Sequence, residues 1–149
     1  MEVKFARGRT LASQAGNRAR GQEVFASTCG VCHTVRGSGG KIGPALDGAG
    51  ANGIEALLRN VITPNAAMEA GYRRFRVETL DGDLFEGLLA AQDNDSVTLR
   101  QPGTEDQRFP RSRLKRAGFV RGSVMPEGLL EGLPDDQVRD LLAYLLTLK

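Results

Sequence analysis

The five residues CGVCH, at positions 29 to 33, constrain this chain more than any other stretch of its sequence. They contain both cysteines and the single histidine of the 149-residue protein. Every thiol and every imidazole that could bind a metal or react with a cofactor therefore lies in one short segment. Whatever the rest of the chain folds into must present this segment as one site.

Three kinds of chemistry compete for Cys29, Cys32 and His33. A zinc site takes about four ligands, but no further Cys or His exists in the chain, and adjacent residues chelate one ion poorly. A redox dithiol prefers a βαβ setting, whereas this pair ends a predicted helix and runs into a glycine-rich loop. C-x-x-C-H is the signature of c-type haem attachment, with two thioethers to the porphyrin and the histidine as axial ligand. We favour covalent haem and keep the other two as alternatives.

Hydrophobic spacing predicts helices on both sides of a central β segment. Residues 15–28 predict a short helix leading into CGVCH, 51–64 an amphipathic helix, and 133–149 a terminal helix. Asn52 is expected to cap the second helix and Pro64 to end it. The apolar stripes of the last two helices are Ile54, Leu57, Leu58, Val61, Ile62, Val138, Leu141, Leu142 and Leu145. The leucines expected in the cofactor pocket and core are Leu46, Leu57, Leu58, Leu129, Leu130, Leu141 and Leu145.

Between residues 72 and 121 the pattern changes to the alternation of β strands. Asp81-Gly82 and Asn94-Asp95 are hairpin signals between alternating apolar runs. We predict a meander of three to five short strands that either curls into a small barrel or packs on the helices. Residues 36–50 predict a glycine-rich loop, and the first 14 residues show no clear pattern.

Composition limits the possible partners. A net charge of +2 makes no case for nucleic acid, and no apolar run approaches the roughly 20 residues that span a bilayer.

One basic run, residues 107–121, contains no acidic residue; its cations are Arg108, Arg111, Arg113, Lys115, Arg116 and Arg121. Such a run is most often a solvated face. The alternative is a docking surface for an acidic redox partner, whose approach opposite charge would steer.

Several stretches, in the same order along the chain, resemble class I c-type cytochromes: GNRARGQEVFASTCGVCH, IGPAL, SVMPEGL and LPDDQVRDLLAYLLTL. The resemblance implies that the Pro44 carbonyl accepts a hydrogen bond from His33 and that Leu46 packs on the haem ring. It also implies that the terminal helix crosses the first one, with Gly21 against an aromatic residue, here Tyr144.

The gap between CGVCH and SVMPEGL sets this chain apart from a minimal member of that family. His33 and Met125 are 92 positions apart, and the β segment fills the gap. This arrangement is similar to the haem-binding domain of planctomycete and verrucomicrobial proteins. It implies a mainly α cytochrome c-like fold, with three to four helices around haem and an inserted small antiparallel β meander or barrel. The expected parts are an N-terminal extension (1–14), an N-terminal half with CxxCH (15–71), the β insert (72–121), and a methionine loop with the terminal helix (122–149).

Met125 is the favoured sixth ligand of the iron, and a thioether in that position raises the redox potential. It lies before Pro126 in SVMPEGL, the stretch that resembles the ligand loop of the family. The alternatives are Met68, Met1, Lys41, Lys115 and an open position.

The predicted function is electron transfer by one covalently bound haem c with His33 and Met125 as iron ligands, and not catalysis. The resemblance implies a redox partner protein, with a dehydrogenase on the same parent chain as a candidate. Family members of this kind mature outside the bacterial cytoplasmic membrane, so we expect a periplasmic protein. MEVKFARGRTLASQ lacks the apolar stretch of a signal peptide, so we expect the targeting segment to have been removed or to lie upstream. The alternatives are a gas-binding sensor or peroxidase-like enzyme with an open distal site, and an interaction module with a structural haem.

Overall fold

The computed structural model describes residues 1–66 and 68–149, which form a group of packed helices and an antiparallel sheet. The α-helices are α1 (Glu2–Ala12), α2 (Arg18–Thr28), α3 (Gly53–Ile62) and α4 (Asp135–Leu145). A short hairpin after α2 consists of β1 (Thr34–Val35) and β2 (Ser38–Gly39). The larger sheet consists of β3 (Arg73–Thr79), β4 (Leu84–Gln92), β5 (Ser96–Arg100), β6 (Gln107–Pro110) and β7 (Leu114–Ser123).

The four helices share one hydrophobic core. The predicted stripe of α4 is confirmed, because each of its four apolar residues is buried, and on α3 the residues Leu57, Leu58 and Ile62 are buried. Residues 1–14, where the sequence showed no clear pattern, contain α1, which packs on α3 and α4. This helix buries only Gly8 and Leu11, so it leaves no apolar stripe in the sequence.

The ends of the helices show where side chains cap the backbone. Asn17 is the N-cap of α2, and its side-chain oxygen accepts a hydrogen bond from the Arg20 N–H at 3.0 Å. Asn52 occupies the N-cap position of α3, but its side chain makes no capping hydrogen bond. The prediction that Asn52 begins α3 is therefore confirmed for its position and wrong for its role.

Helices α2 and α4 cross at Gly21. A Cβ atom on this residue would overlap the Asp140 carbonyl oxygen and lie 2.8 Å from the Tyr144 Cβ. The expected contact between Gly21 and Tyr144 is confirmed. One turn further on, the rings of Phe25 and Tyr144 pack with their centroids 5.5 Å apart, so aromatic packing continues the contact that the glycine allows.

Asp140 joins the same two helices through its carboxylate. The side chain is buried, and Oδ1 accepts a hydrogen bond from the Asn17 N–H at 2.8 Å. The Arg20 guanidinium lies 3.0 Å from Oδ2, and the Arg139 Nε lies 3.4 Å from Oδ1. The Asn17 hydrogen bond, followed by the charges of Arg20 and Arg139, outweighs the desolvation and holds the pKa of Asp140 below its ordinary value.

We expect Asp140→Asn to lower the free energy of unfolding at neutral pH by about 2 kcal/mol, because a charge-assisted hydrogen-bond network is lost. A lowered pKa in the folded state stabilises the protein above the ordinary Asp value of about 4, and this contribution is lost as the pH falls further. The difference between wild type and variant should therefore shrink on acidification. Urea unfolding of both proteins across this range checks it, with the exposed Glu23→Gln on α2 as control. An unchanged difference at acid pH would contradict the assignment.

The β segment is confirmed as an antiparallel sheet of five strands, in the order β6-β5-β4-β3-β7. The edge strands β6 and β7 follow each other in the chain and are joined by the 3-10 helix Arg111–Arg113. The sheet has its own hydrophobic cluster, separate from the core of the helices: Phe75, Val77, Val97, Leu99 and Phe109. The predicted hairpin at Asp81-Gly82 is also confirmed, with Gly82 at a φ of +90°.

Much of the basic run 107–121 is engaged within the sheet. Lys115 and Arg116 both lie within 3.4 Å of the Glu78 carboxylate. Arg108 donates to Ser96, and Arg111 donates to the Asp93 carbonyl at 2.7 Å. The side chains of Lys115 and Arg116 nevertheless stay more than half exposed, so these contacts fit a solvated face whose charges are partly paired, and a docking role for this face stays a prediction.

Candidate haem site

The CGVCH segment forms a turn at the end of α2. The Cys29 N–H continues the helix by donating to the Phe25 carbonyl at 2.8 Å. The N–H groups of Cys32 and His33 then both donate to the Cys29 carbonyl, at 3.0 and 2.9 Å. The backbone thereby fixes the two cysteines and the histidine within one turn of chain.

The loop that contains IGPAL is bonded to this turn through the backbone. The N–H groups of Ile42 and Gly43 donate to the Cys32 carbonyl at 3.0 and 2.7 Å, and the Leu46 N–H donates to the Thr34 carbonyl at 2.9 Å. Leu46 is half-buried and packs against the helical core. These hydrogen bonds hold the glycine-rich loop in one conformation beside CGVCH.

The His33 ring is fixed from two sides. Its Nδ1 lies 2.7 Å from the Pro44 carbonyl oxygen, and a Cβ atom on Gly43 would overlap the ring. A carbonyl only accepts hydrogen bonds, so Nδ1 carries the hydrogen and Nε2 keeps its lone pair. A hydrogen bond from the second ring nitrogen to a backbone carbonyl fixes the tautomer and the orientation of a metal-ligating histidine.

Both thiols are half-buried and are not joined in a disulfide. Burial, followed by the neighbouring Cys32, raises the pKa of the Cys29 thiol to about 11, and burial also raises the pKa of Cys32. Reactive redox dithiols have lowered thiol pKa values, so this setting disfavours the dithiol alternative. Among residues 1–66 and 68–149, no three His, Cys, Asp or Glu side chains form a group that could hold a metal ion, so zinc gains no support.

Met125 is half-buried in the loop that follows β7. Its N–H donates to the Ser123 hydroxyl at 3.1 Å. It lines a cleft of about 430 Å³ together with residues from the ends of β3 and β7 and from the turn after α3. Of the alternative ligands, Met1 is exposed, Met68 is half-buried, and Lys115 is paired with Glu78 on the sheet.

These residues fit a covalently attached haem. The imidazole is oriented with one nitrogen available, two protonated thiols lie in the same turn of chain, and no side chain intrudes on the ring from position 43. The apolar core of the helices adjoins the site, since Cys29, Val35 and Leu46 pack against it. The fold and the site are therefore compatible with a helical domain that attaches a c-type haem.

Comparison with known families agrees with that class. Residues 18–82 match the family model for cytochrome c. The matched range contains α2, CGVCH, α3 and β3, and it ends before Met125 and α4. The match supports a c-type cytochrome whose cofactor is a covalently attached haem with iron. No curated protein sequence matches the chain significantly.

Domains of the cytochrome c family transfer electrons through haem, exchange them with redox partners and are typically extracytoplasmic. Within residues 1–66 and 68–149, no helix is long and apolar enough to cross a membrane.

The sequence patterns missed three residues that shape the site or its support. Asn65 bonds to the loop of Met125, Asp140 joins α2 to α4, and Gly43 makes room for the His33 ring. The position of Gly43 beside Pro44 was a signal for a stiff turn. For Asn65 and Asp140 the partners lie far away in the chain, and no local pattern marks them.

Proposed function

We propose that this chain is an electron-transfer domain in which His33 and Met125 are the axial ligands of the iron and Cys29 and Cys32 form the thioethers. The observation that carries the proposal is the 2.7 Å contact between His33 Nδ1 and the Pro44 carbonyl, which leaves Nε2 for the metal. The haem supplies one-electron exchange between its ferric and ferrous states.

The protein residues tune that exchange. Donation from His33 Nδ1 to the Pro44 carbonyl raises the basicity of the imidazole. Leu46 and the leucines of the helical core provide apolar surroundings. These exclude water and stabilise the iron state of lower charge, which changes the redox potential. The fixed ring and the ordered loop limit the rearrangement that accompanies each electron transfer.

Met125 is proposed as the sixth ligand because of its place in the chain and its surroundings. It lies in a loop stiffened by Pro126, between β7 and α4. Its backbone is held by the Ser123 hydroxyl, and the side chain is neither fully exposed nor part of the closed core. Met68 shares the partial burial and also lies in a connecting segment, but it is not in the stretch SVMPEGL that resembles the ligand loop of class I c-type cytochromes.

The wider assignment rests on resemblance. The β sheet between the two halves of the helical domain supports membership of the planctomycete and verrucomicrobial type. On that basis we propose a division into residues 15–71 and 122–149 with the insert at 72–121. We also propose a periplasmic location and electron acceptance from a dehydrogenase, with one on the same parent chain as the first candidate. The chain has no second histidine that could act as a distal acid–base group, so we propose an electron carrier and not an enzyme.

We expect Met125→Ala to abolish the thioether-to-iron charge-transfer band of the oxidised protein. The redox potential should fall by on the order of 0.1–0.2 V, within the ~0.8 V range that axial ligands cover, because a thioether favours ferrous iron. Absorption spectroscopy and potentiometric titration check both effects, with Met68→Ala as the matched control.

Two outcomes would overturn this assignment. If Met68→Ala removes the band and Met125→Ala keeps it, the sixth ligand is Met68 and not Met125. If the reduced wild-type protein binds CO rapidly at neutral pH, the sixth position is open or displaceable, and the gas-binding or peroxidase-like alternative is favoured.

A further inference from the structure

One side chain connects both ends of the methionine loop to the body of the helices. Asn65 lies in the turn after α3, and its Oδ1 accepts a hydrogen bond from the Ser123 N–H at 2.8 Å. Its Nδ2 donates to the Glu127 carboxylate at 2.6 Å. Ser123 and Glu127 flank Met125 on either side, two residues away in each direction. A single amide therefore holds both ends of the segment that presents the methionine.

The local backbone is shaped to accept this amide. Gly122 has a φ of +100°, a conformation that side chains disfavour, and a Cβ atom there would lie 3.1 Å from Asn65 Oδ1. Inside the loop, the Met125 N–H bonds to the Ser123 hydroxyl. The chain from Asn65 to Ser123 to Met125 is thus continuous through hydrogen bonds.

The rest of the fold gives this contact its importance. The sheet separates α3 from the methionine loop in the sequence and has its own hydrophobic cluster. The cores of sheet and helices are separate clusters, so shared packing does little to fix β7 relative to the turn after α3. The Asn65 hydrogen bonds span 58 and 62 positions of chain and make that connection directly.

We propose that Asn65 is a positioning residue that holds Met125 at the iron; this inference rests on the proposed function. In this role Asn65 acts through the loop and not as a ligand of the iron. It acts by limiting the positions of the 123–127 segment, and hence the fraction of time that the thioether is displaced. Losing it raises the population of the displaced state, to which an added ligand binds.

We expect Asn65→Ala to weaken the thioether band and to raise the rate of imidazole binding to the oxidised protein about tenfold, the change that corresponds to losing roughly 1.4 kcal/mol of hydrogen bonding. Stopped-flow mixing of the holoprotein with imidazole measures the rate. The control is Asn60→Ala on the exposed face of α3, which should bind imidazole at the wild-type rate.

Reversing the direction of the hydrogen bond between residues 65 and 127 distinguishes a positioning role of Asn65 from a general effect on stability. Asn65→Asp alone places one carboxylate against that of Glu127 and should accelerate imidazole binding like Asn65→Ala. Combining it with Glu127→Gln lets the glutamine amide donate to the new carboxylate, while the Ser123 N–H keeps its acceptor. The double variant should return toward the wild-type rate.

The outcomes also separate this inference from the proposed function. If the wild-type protein lacks the thioether band, the assignment of Met125 fails and with it the role of Asn65. If the wild type has the band but Asn65→Ala binds imidazole at the wild-type rate, only the positioning role is overturned. A double variant as fast as Asn65→Asp alone would likewise overturn it.

Discussion

Gly21→Ala is expected to lower the free energy of unfolding by about 3 kcal/mol, at the upper end of the usual cost of overpacking. In a helix, alanine is normally better than glycine by about 1 kcal/mol, so the sign of this effect comes entirely from the contact with α4. The added methyl group would overlap the Asp140 carbonyl oxygen, which belongs to the backbone of α4. A backbone atom cannot rotate away, so the two helices must separate.

Thermal unfolding followed by circular dichroism measures this effect, and for a chain of this size the midpoint should fall by about 10 °C. The matched control is Gly48→Ala. A Cβ atom at position 48 meets nothing within 4 Å, and its φ is not in the left-handed region. Equal unfolding temperatures for the two variants would show that α2 and α4 do not cross this closely.

Gly43→Ala is expected to raise the redox potential by about 60–120 mV. The new methyl group would overlap the His33 imidazole, so the ring must turn away from the Pro44 carbonyl and lose its 2.7 Å hydrogen bond. Hydrogen bonds that orient a metal-bound histidine are worth about 10–100-fold in metal affinity. Where that loss falls on the ferric state, each tenfold change corresponds to about 59 mV for one electron. A less basic imidazole stabilises ferric iron less, which sets the sign.

Gly48→Ala again provides the control, because it lies in the same loop without approaching the ring. Potentiometric titration of both variants and of the wild type gives the comparison. A Gly43→Ala protein with the wild-type potential would mean that the imidazole does not depend on the Pro44 carbonyl for its orientation.

The parts of the fold that follow from local patterns could be predicted from the sequence. α4 was predictable because its buried residues repeat at helical spacing, and the same holds for α3. The hairpin at Asp81-Gly82 was predictable because the turn needs a left-handed φ, which Gly82 supplies. CGVCH could be recognised as a candidate haem-attachment segment because its chemistry lies in nearly consecutive residues.

Features that depend on distant partners could not be predicted in the same way. α1 was missed because it buries a glycine and one leucine, which form no stripe. Asp140 looks like an ordinary polar residue of a surface helix until Asn17 and Arg20 lie beside it. A range of three to five strands was predictable. The pairing of β7 with β3 was not, because it joins the first and last strands of the segment, which are far apart in the chain.

That pairing of the first and last strands has a consequence for how the inserted segment can change in evolution. Arg73 at the start of β3 stands opposite Ser123 at the end of β7, and paired strands lie about 4.8 Å apart. The polypeptide therefore leaves the helices and comes back to them at almost the same point. An excursion with such closely spaced ends can be gained, lengthened or exchanged between relatives without pulling the flanking helices apart.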